Sequence, residues 1–222
     1  MTLLKRFLSR LLSDTHPLRL AYHRCCGWLA AFWYGFPASK LKVIGITGTD
    51  GKTTTVAMVT HILLSQGIHA GAASTAFFCI DGTYESNPTQ KTSVSPFLLQ
   101  KFLRRIANAG CTHAVLECSS HGLLQGRLNG ISFDIAAVTN TSAEHLDYHG
   151  SMEEYVKAKA LLFKKLKPCG VKILNVQDSS FPIFSKISSK QTISYNSESI
   201  NITESSVDQI SGKGMLEEQS LD

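Results

Sequence analysis

The sequence predicts an α/β fold, a mainly parallel sheet flanked by helices with a P-loop variant at its centre. Three observations lead there. The apolar run Val43-Ile44-Gly45-Ile46 feeds Gly48-Thr49-Asp50-Gly51-Lys52-Thr53-Thr54-Thr55, which reads as a strand, a glycine turn and a Lys-Thr pair opening a helix. Further short apolar runs alternate with helical stretches, the mark of βαβ units with right-handed crossovers. Two of those runs close on polar residues, Glu117 and Asn140. In parallel sheets, ligands sit beyond such carboxyl ends.

Composition narrows the class. A chain of 222 residues can bury one good core with a small appendage. Its 43% hydrophobic and 18% charged content is that of a globular protein. The net charge of +5 draws on Lys5, Arg6, Arg10, Arg19 and Arg24, and no stripe of Lys/Arg interleaved with aromatics follows, so nucleic acid is not an expected partner. Cysteines 25, 26, 79, 111, 118 and 169 form no C-x-x-C pair and read as reduced thiols of a cytoplasmic protein.

Residues 1–40 form a separate N-terminal segment. Leu3, Leu4, Phe7, Leu8, Leu11 and Leu12 recur at helical spacing with Lys5, Arg6 and Arg10 between them, a basic amphipathic helix. It is expected to dock on the following domain, the alternative being weak membrane-surface contact through residues 1–36. Residues 25–36 are apolar but too few to span a bilayer. Pro37-Ala38-Ser39-Lys40 reads as a linker.

The main domain is expected over 41–195. After the glycine turn a helix over 53–66 carries Val56, Val59, Ile62 and Leu63 on its apolar side and stops at Gly67. A strand over 68–74 follows, then a polar, irregular stretch over 75–94 that reads as a functional loop. Ser95 caps the next helix with Pro96 in its first turn. Phe97, Leu98, Phe102, Leu103 and Ile106 form its buried side, and Gly110 ends it. Strands are expected over 113–117, 133–139, 171–176 and 191–195. Beyond about 196 the chain turns polar and pattern-free, as in a tail or the start of a further domain.

Four features carry chemistry. In the glycine turn, backbone N–H groups, a helix N-terminus and the charge of Lys52 converge as they do around a nucleotide phosphate, and Thr53 would offer its hydroxyl to Mg²⁺. The spacing is offset from the general P-loop, since Ile46 stands where a glycine is required. The plain alternative is a turn with a solvent-facing lysine. Ser151-Met152-Glu153-Glu154 is a capping box, so a helix begins at 152. On its wheel Met152, Tyr155, Val156, Leu162, Phe163 and Leu166 share an apolar face with Lys159 in the middle, and Lys157 and Lys164 point away. Lys159 must snorkel, find a partner or lose its charge. Glu117 either coordinates a metal or solvates the sheet edge. Finally, 141–150 contains Glu144, His145, Asp147 and His149, without the third His or Cys that zinc would need, so local capping is the plain reading.

Together these pieces resemble a known family. The loop 48–55, Glu117-Cys118-Ser119-Ser120-His121, Thr139-Asn140-Thr141 with Glu144-His145-Leu146-Asp147-Tyr148-His149-Gly150, and 155–163 resemble the central ATP-binding domain of Mur ligases. Their order and spacing are most similar to the MurE branch, which adds the third residue of the peptidoglycan stem peptide. The likeness spans about 41–195 and covers the offset loop, since this family uses the compact G-T-x-G-K-[ST] form. It implies an ATP-dependent amide ligase of cell-wall synthesis that joins an amino acid to a UDP-MurNAc-peptide through an acyl phosphate. By motif, Gly48, Thr49, Asp50, Gly51, Lys52, Thr53, Thr54 and Asn140 would bind ATP. Thr53, Glu117, His145 and a carbamylated Lys159 would support Mg²⁺, and Lys52, His145 and Lys159 would be catalytic. Thr92, Ser93, Ser119, Gln125 and Arg127 would hold the muramoyl peptide. Electrostatic stabilisation of phosphoryl charge is then the main catalytic effect.

The sequence departs from that pattern in three ways. Asp50 replaces the usual Asn or basic residue. Lys91-Thr92-Ser93-Val94 is a loose match to the family's Asn-Thr-Thr loop. The family's N-terminal uridine-nucleotide domain and C-terminal amino-acid domain have no counterpart, so the resemblance implies a fragment or a chain completed by a partner. Two other readings compete: a folylpolyglutamate or cyanophycin synthetase-like ligase, and a non-catalytic ATP-binding module.

Overall fold

A computed structural model describes residues 16–89, 92, 94–196 and 199–204. The expected amphipathic helix over 1–12, the site residue Ser93 and the tail beyond 204 lie outside these. Helix α1 (Pro17–Trp33) comes first, and a turn of 3₁₀ helix (Pro37–Lys40) replaces the expected linker. Strand β1 (Lys42–Thr47) is followed by helix α2 (Lys52–Ser65) and strand β2 (Ala70–Ala73). Next come β3 (Phe77–Ile80), β4 (Thr83–Ser86), α3 (Pro96–Asn108), β5 (His113–Glu117), α4 (Ser120–Leu124) and β6 (Phe133–Val138). Helices α5 (Leu146–His149) and α6 (Met152–Phe163) precede β7 (Leu166–Asn175), α7 (Phe181–Ser185), β8 (Gln191–Tyr195) and β9 (Ile200–Glu204).

Among the described residues all nine strands join one sheet in the order β4-β3-β2-β5-β1-β6-β7-β8-β9. The six strands from β2 to β8 run parallel, and β3, β4 and β9 are antiparallel additions at the two edges. Strand β1 is central, and five of its six residues are buried, as a strand covered on both faces requires. On one face Ile44, Ile46 and Val115 pack under Val56 of α2. On the other, Val43, Leu116 and Phe133 pack with Phe102 and Ile106 of α3 and with Leu162 and Phe163 of α6. Because β1, β5 and β6 are parallel with Ile46 opposite Glu117 and Thr47 opposite Val138, their carboxyl ends reach the same edge.

Three expectations need correction. The stretch 75–94 is not a free loop, since it carries the β3–β4 hairpin. Its turn, Asp81-Gly82, has φ of 48° and 85°, as a tight hairpin of the right twist requires. The polar stretch after 196 supplies β9, whose alternating polar residues suit an edge strand. Leu166 does not extend the face of α6. The helix ends at Phe163, and Leu166 opens β7 opposite Phe133.

Candidate functional site

The loop between β1 and α2 sits at the carboxyl edge of the sheet. Gly48 has φ 151°, and a Cβ there would lie 1.8 Å from the Thr139 hydroxyl, so only glycine lets the loop pass so close to the segment after β6. That segment straps the loop in place. Thr49 N donates to Asn140 O (2.8 Å), Asp50 N donates to the Asn140 side-chain oxygen (2.9 Å), and the Thr139 hydroxyl donates to Asp50 O (2.6 Å). The strap is in turn held from below. Thr141 donates through both its N–H and its hydroxyl to Asp178, which also accepts from the N–H and hydroxyl of Ser180. Burial pushes the Asp178 carboxyl up, but the hydrogen bonds from Ser180 and Thr141 outweigh it and hold the group below its ordinary value.

Lys52, at the first position of α2, folds over the loop and donates to Thr49 O at 2.5 Å. Beside it Thr53 donates to Glu117 (2.9 Å). Glu117 is 5% exposed and also accepts from the N–H and hydroxyl of Thr75 (2.8 and 3.0 Å). A buried carboxylate and a hydroxyl converging beside the β1–α2 loop are hard oxygen donors of the kind that suits Mg²⁺. Among the described residues no three of His, Cys, Asp and Glu gather as a preformed metal cluster. The arrangement therefore fits an ion completed by phosphate oxygens better than a protein-only cage.

Lys159 is 1% exposed, so the snorkelling alternative does not hold. Its ammonium donates to Gly48 O at 2.5 Å and lies 4.2 Å from the Tyr155 ring centroid. Burial, and then the charge of Lys52, push its pKa down to about 7. Tyr155 also reaches the β1–α2 loop, its hydroxyl 3.1 Å from that of Thr49.

The 141–150 segment packs as an aromatic and histidine cluster. His121 lies 3.9 Å from Tyr148, 4.9 Å from His145 and 5.3 Å from His149, ring to ring. His145 adopts a left-handed conformation at φ 54°, an unusual one for a residue with a side chain. His149 is buried against the Ser120 hydroxyl (3.0 Å), and burial together with His121 and His145 pushes its pKa down to about 4. Arg127 donates to Gln125, which donates to the Tyr148 hydroxyl (2.9 and 2.8 Å). Ser119 caps α4. The Thr92 hydroxyl lies 2.8 Å from that of Thr75, to which it can donate while Thr75 donates to Glu117, and it lines a narrow recess of about 10 Å³ with Glu117, Arg127, Phe78 and Leu128.

The structure thus gathers Lys52, Thr53, Glu117, Asn140 and Lys159 around the loop, while Ser119, Gln125, Arg127 and His145 lie with the histidine cluster beyond β5. Tyr155, Thr75 and Asp178 escape the sequence reading. Tyr155 had a signal, standing one helical turn before Lys159 on the same face. Thr75 and Asp178 had none, because their partners are 42 and 37 residues away.

Comparison with known proteins agrees with this picture. The profile of a family described as the Mur ligase middle domain matches residues 46–219. A UDP-N-acetylmuramoyl-L-alanyl-D-glutamate–2,6-diaminopimelate ligase of Chlorobaculum tepidum is 42% identical over 150 residues, 68% of this chain and 29% of that protein. The UDP-N-acetylmuramyl-tripeptide synthetase 2 of Oceanobacillus iheyensis is 42% identical over 75% of this chain and 35% of its own length. A solved structure of a diaminopimelate-adding ligase superposes with a TM-score of 0.65 at 29% identity, covering 82% of this chain and 41% of that one. E. coli FolC in complex with DHPP and ADP shares the fold at a TM-score of 0.58 and 18% identity. The chain spans about a third of the length of the curated relatives it matches.

Proposed function

This chain belongs to the Mur ligase family, and on that footing we propose that it forms the ATP-binding part of a carboxylate–amine ligase of peptidoglycan precursor synthesis. The relatives' names support an acceptor of the UDP-MurNAc-dipeptide type and an amino acid as the second substrate. In this reading the γ-phosphoryl group of ATP passes to the acceptor's carboxylate, giving ADP and an acyl phosphate. The amine then attacks the acyl carbon, expels phosphate and forms the amide.

The observation that carries the proposal is Lys159, a buried amine at the phosphate loop with its pKa brought down to about 7. A lysine held near neutrality can add to CO₂, releasing a proton and becoming a carbamate anion. Gly48, Thr49, Asp50, Gly51, Thr54 and Asn140 line the phosphate loop, with Lys52 on the β- and γ-phosphates. Thr53, Glu117, His145 and carbamylated Lys159 would hold magnesium, which supplies charge neutralisation on the transferring group. Thr92, Ser93, Ser119, Gln125 and Arg127 are assigned to the muramoyl peptide, and the amino acid to a further domain or a partner chain. Among the described residues no helix is long and apolar enough to cross a membrane, and the proposed compartment is the cytoplasm.

The test is ATP binding by calorimetry with and without Mg²⁺, together with carbon NMR after labelling with ¹³C-bicarbonate. Magnesium-dependent binding lost in Lys52→Ala, and a carbamate resonance lost in Lys159→Ala, are expected. Binding indifferent to Lys52 would sink the nucleotide assignment, and an unchanged spectrum in Lys159→Ala would sink the carbamate.

A further inference from the structure

Helix α1 carries its residues in an order opposite to that of a normal amphipathic surface helix. Its small residues Cys26, Gly27, Ala30 and Ala31 are buried, and a Cβ on Gly27 would fall 2.3 Å from Gly126 O. Its large ones face outward. Leu18, Trp28, Leu29, Phe32 and Trp33 are 55% to 77% exposed. At about 100° per residue, Leu18, Ala21, Cys25, Trp28, Leu29 and Phe32 share one arc of roughly 100° with no charged residue inside it. An open apolar stripe of this kind marks an interaction surface rather than scatter.

Three features point to what covers it. Trp28 stands at one margin of the arc and Trp33 just beyond the other, with leucine and phenylalanine between them. Indoles belong at headgroup depth and aliphatic or phenyl groups deeper. Arg24 and Arg19 follow outside the two tryptophans, placed to snorkel toward anionic groups. Charge is one-sided as well, since residues 1–49 contain a single acid, Asp14, against Lys5, Arg6, Arg10, Arg19, Arg24 and the lysines at 40 and 42. With 17 residues, the helix is about 25 Å long. That is short of a spanning segment.

We propose that α1 lies flat on an anionic lipid bilayer, apolar stripe down, and tethers the nucleotide-binding domain to the membrane surface. The helix precedes the residues 46–219 matched by the family model. None of its outward residues belongs to the phosphate-loop site, and the proposal stands or falls independently of the ligase reading.

The experiment is flotation of the full chain with vesicles of phosphatidylcholine containing 30 mol% phosphatidylglycerol, and with phosphatidylcholine alone. Tryptophan emission is recorded in parallel. The expected result is binding to the anionic vesicles with a blue shift, weakening as salt is raised toward about 1 M, where the Debye length falls to ~3 Å. Phe32→Ser with Leu29→Ser, both exposed in the folded protein, should lower the bound fraction at least tenfold, on the order expected for losing two buried apolar side chains, with ATP binding unchanged. Absence of flotation, equal binding to both vesicle types, or binding that ignores the double substitution would each overturn the proposal. So would a blue-shifted emission without lipid that persists on dilution, which would mean that the chain covers the stripe itself. A concentration-dependent dimer abolished by the same substitutions would assign the stripe to a second copy instead.

Discussion

Glu117 accepts a hydrogen bond from Thr53 across the carboxyl ends of neighbouring parallel strands, although 64 residues separate the two in sequence. Glu117 also holds Thr75, so one buried carboxylate ties together the start of α2, the end of β5 and the turn before β3.

That relationship separates structure from chemistry. Glu117→Gln keeps one amide oxygen for Thr53 and Thr75 but loses the charge. Stability in urea is expected to fall by about 1–2 kcal/mol, whereas magnesium-dependent ATP binding weakens at least about tenfold. Equal losses with and without Mg²⁺ would show that the carboxylate only braces the turn.

Lys159 makes stability depend on pH in a defined direction. Its folded pKa, about 7, lies below the ordinary lysine value that it regains on unfolding. Between about pH 7 and 10 the unfolded chain therefore binds more protons, and stability rises with pH by up to ~1.4 kcal/mol per unit from this group alone. Below pH 7 both states are protonated and the burial penalty stands in full. Urea titrations in CO₂-free buffer should show a shallower rise for Lys159→Met than for the parent, and parallel curves would contradict the burial argument.

Asp178 is expected to act on nucleotide binding without touching nucleotide. It fixes Thr141, and Asn140 next to it fixes the N–H groups of Thr49 and Asp50. Asp178→Ala removes the acceptor of four donors in a part-buried site, of which the Thr141 hydroxyl can turn to that of Ser180, and should cost about 2–4 kcal/mol of stability. ATP affinity, measured at a temperature where the variant is folded, should also fall. Its carboxyl is held below its ordinary value, so the stability it contributes is complete above about pH 4 and is lost as pH drops through the folded pKa.

Lys172 of β7 is 1% exposed and donates to the carbonyls of Phe184, Ser185 and Ile187 at 3.0, 3.0 and 2.5 Å. It thereby closes the end of α7, and burial lowers its pKa. Lys172→Met fills the space but strands those carbonyls. A loss of about 3 kcal/mol is expected, with ATP binding intact. A neutral result in chemical denaturation would show that water replaces the amine.

What the sequence made legible follows from how local each signal is. The β1–loop–α2 unit, the Ser95 cap and the strand ending at Glu117 are readable because strand run, glycine turn and cap lie within a few residues of one another. Lys159 is readable for the same reason, since a helical wheel needs only the helix itself. The β3–β4 hairpin carried its signal in Asp81-Gly82, but polar β4, exposed along its length, hid the pattern. Strand β9 carried its alternation in Ile200 and Ile202, but five residues within a polar stretch are too few to stand out. The hold of Asp178 on Thr141 depends on two loops meeting after β6 and β7, which pattern along the chain does not encode.

The central position of β1 has a consequence for the order of assembly. Lys42 pairs with His113, and Ile44 with both Val115 and Ile135. At ~5–20 residues per second, synthesis from the first of these strands to the second takes about 4–14 s. During that interval Val43–Ile46 is an apolar strand with neither neighbour in existence. Chains cut before Phe133 should leave it open to protease, and chains that include β6 should protect it. The strand that leads into the Gly48–Lys52 loop is thus among the earliest parts of the domain to be synthesised and among the last to acquire its final shape.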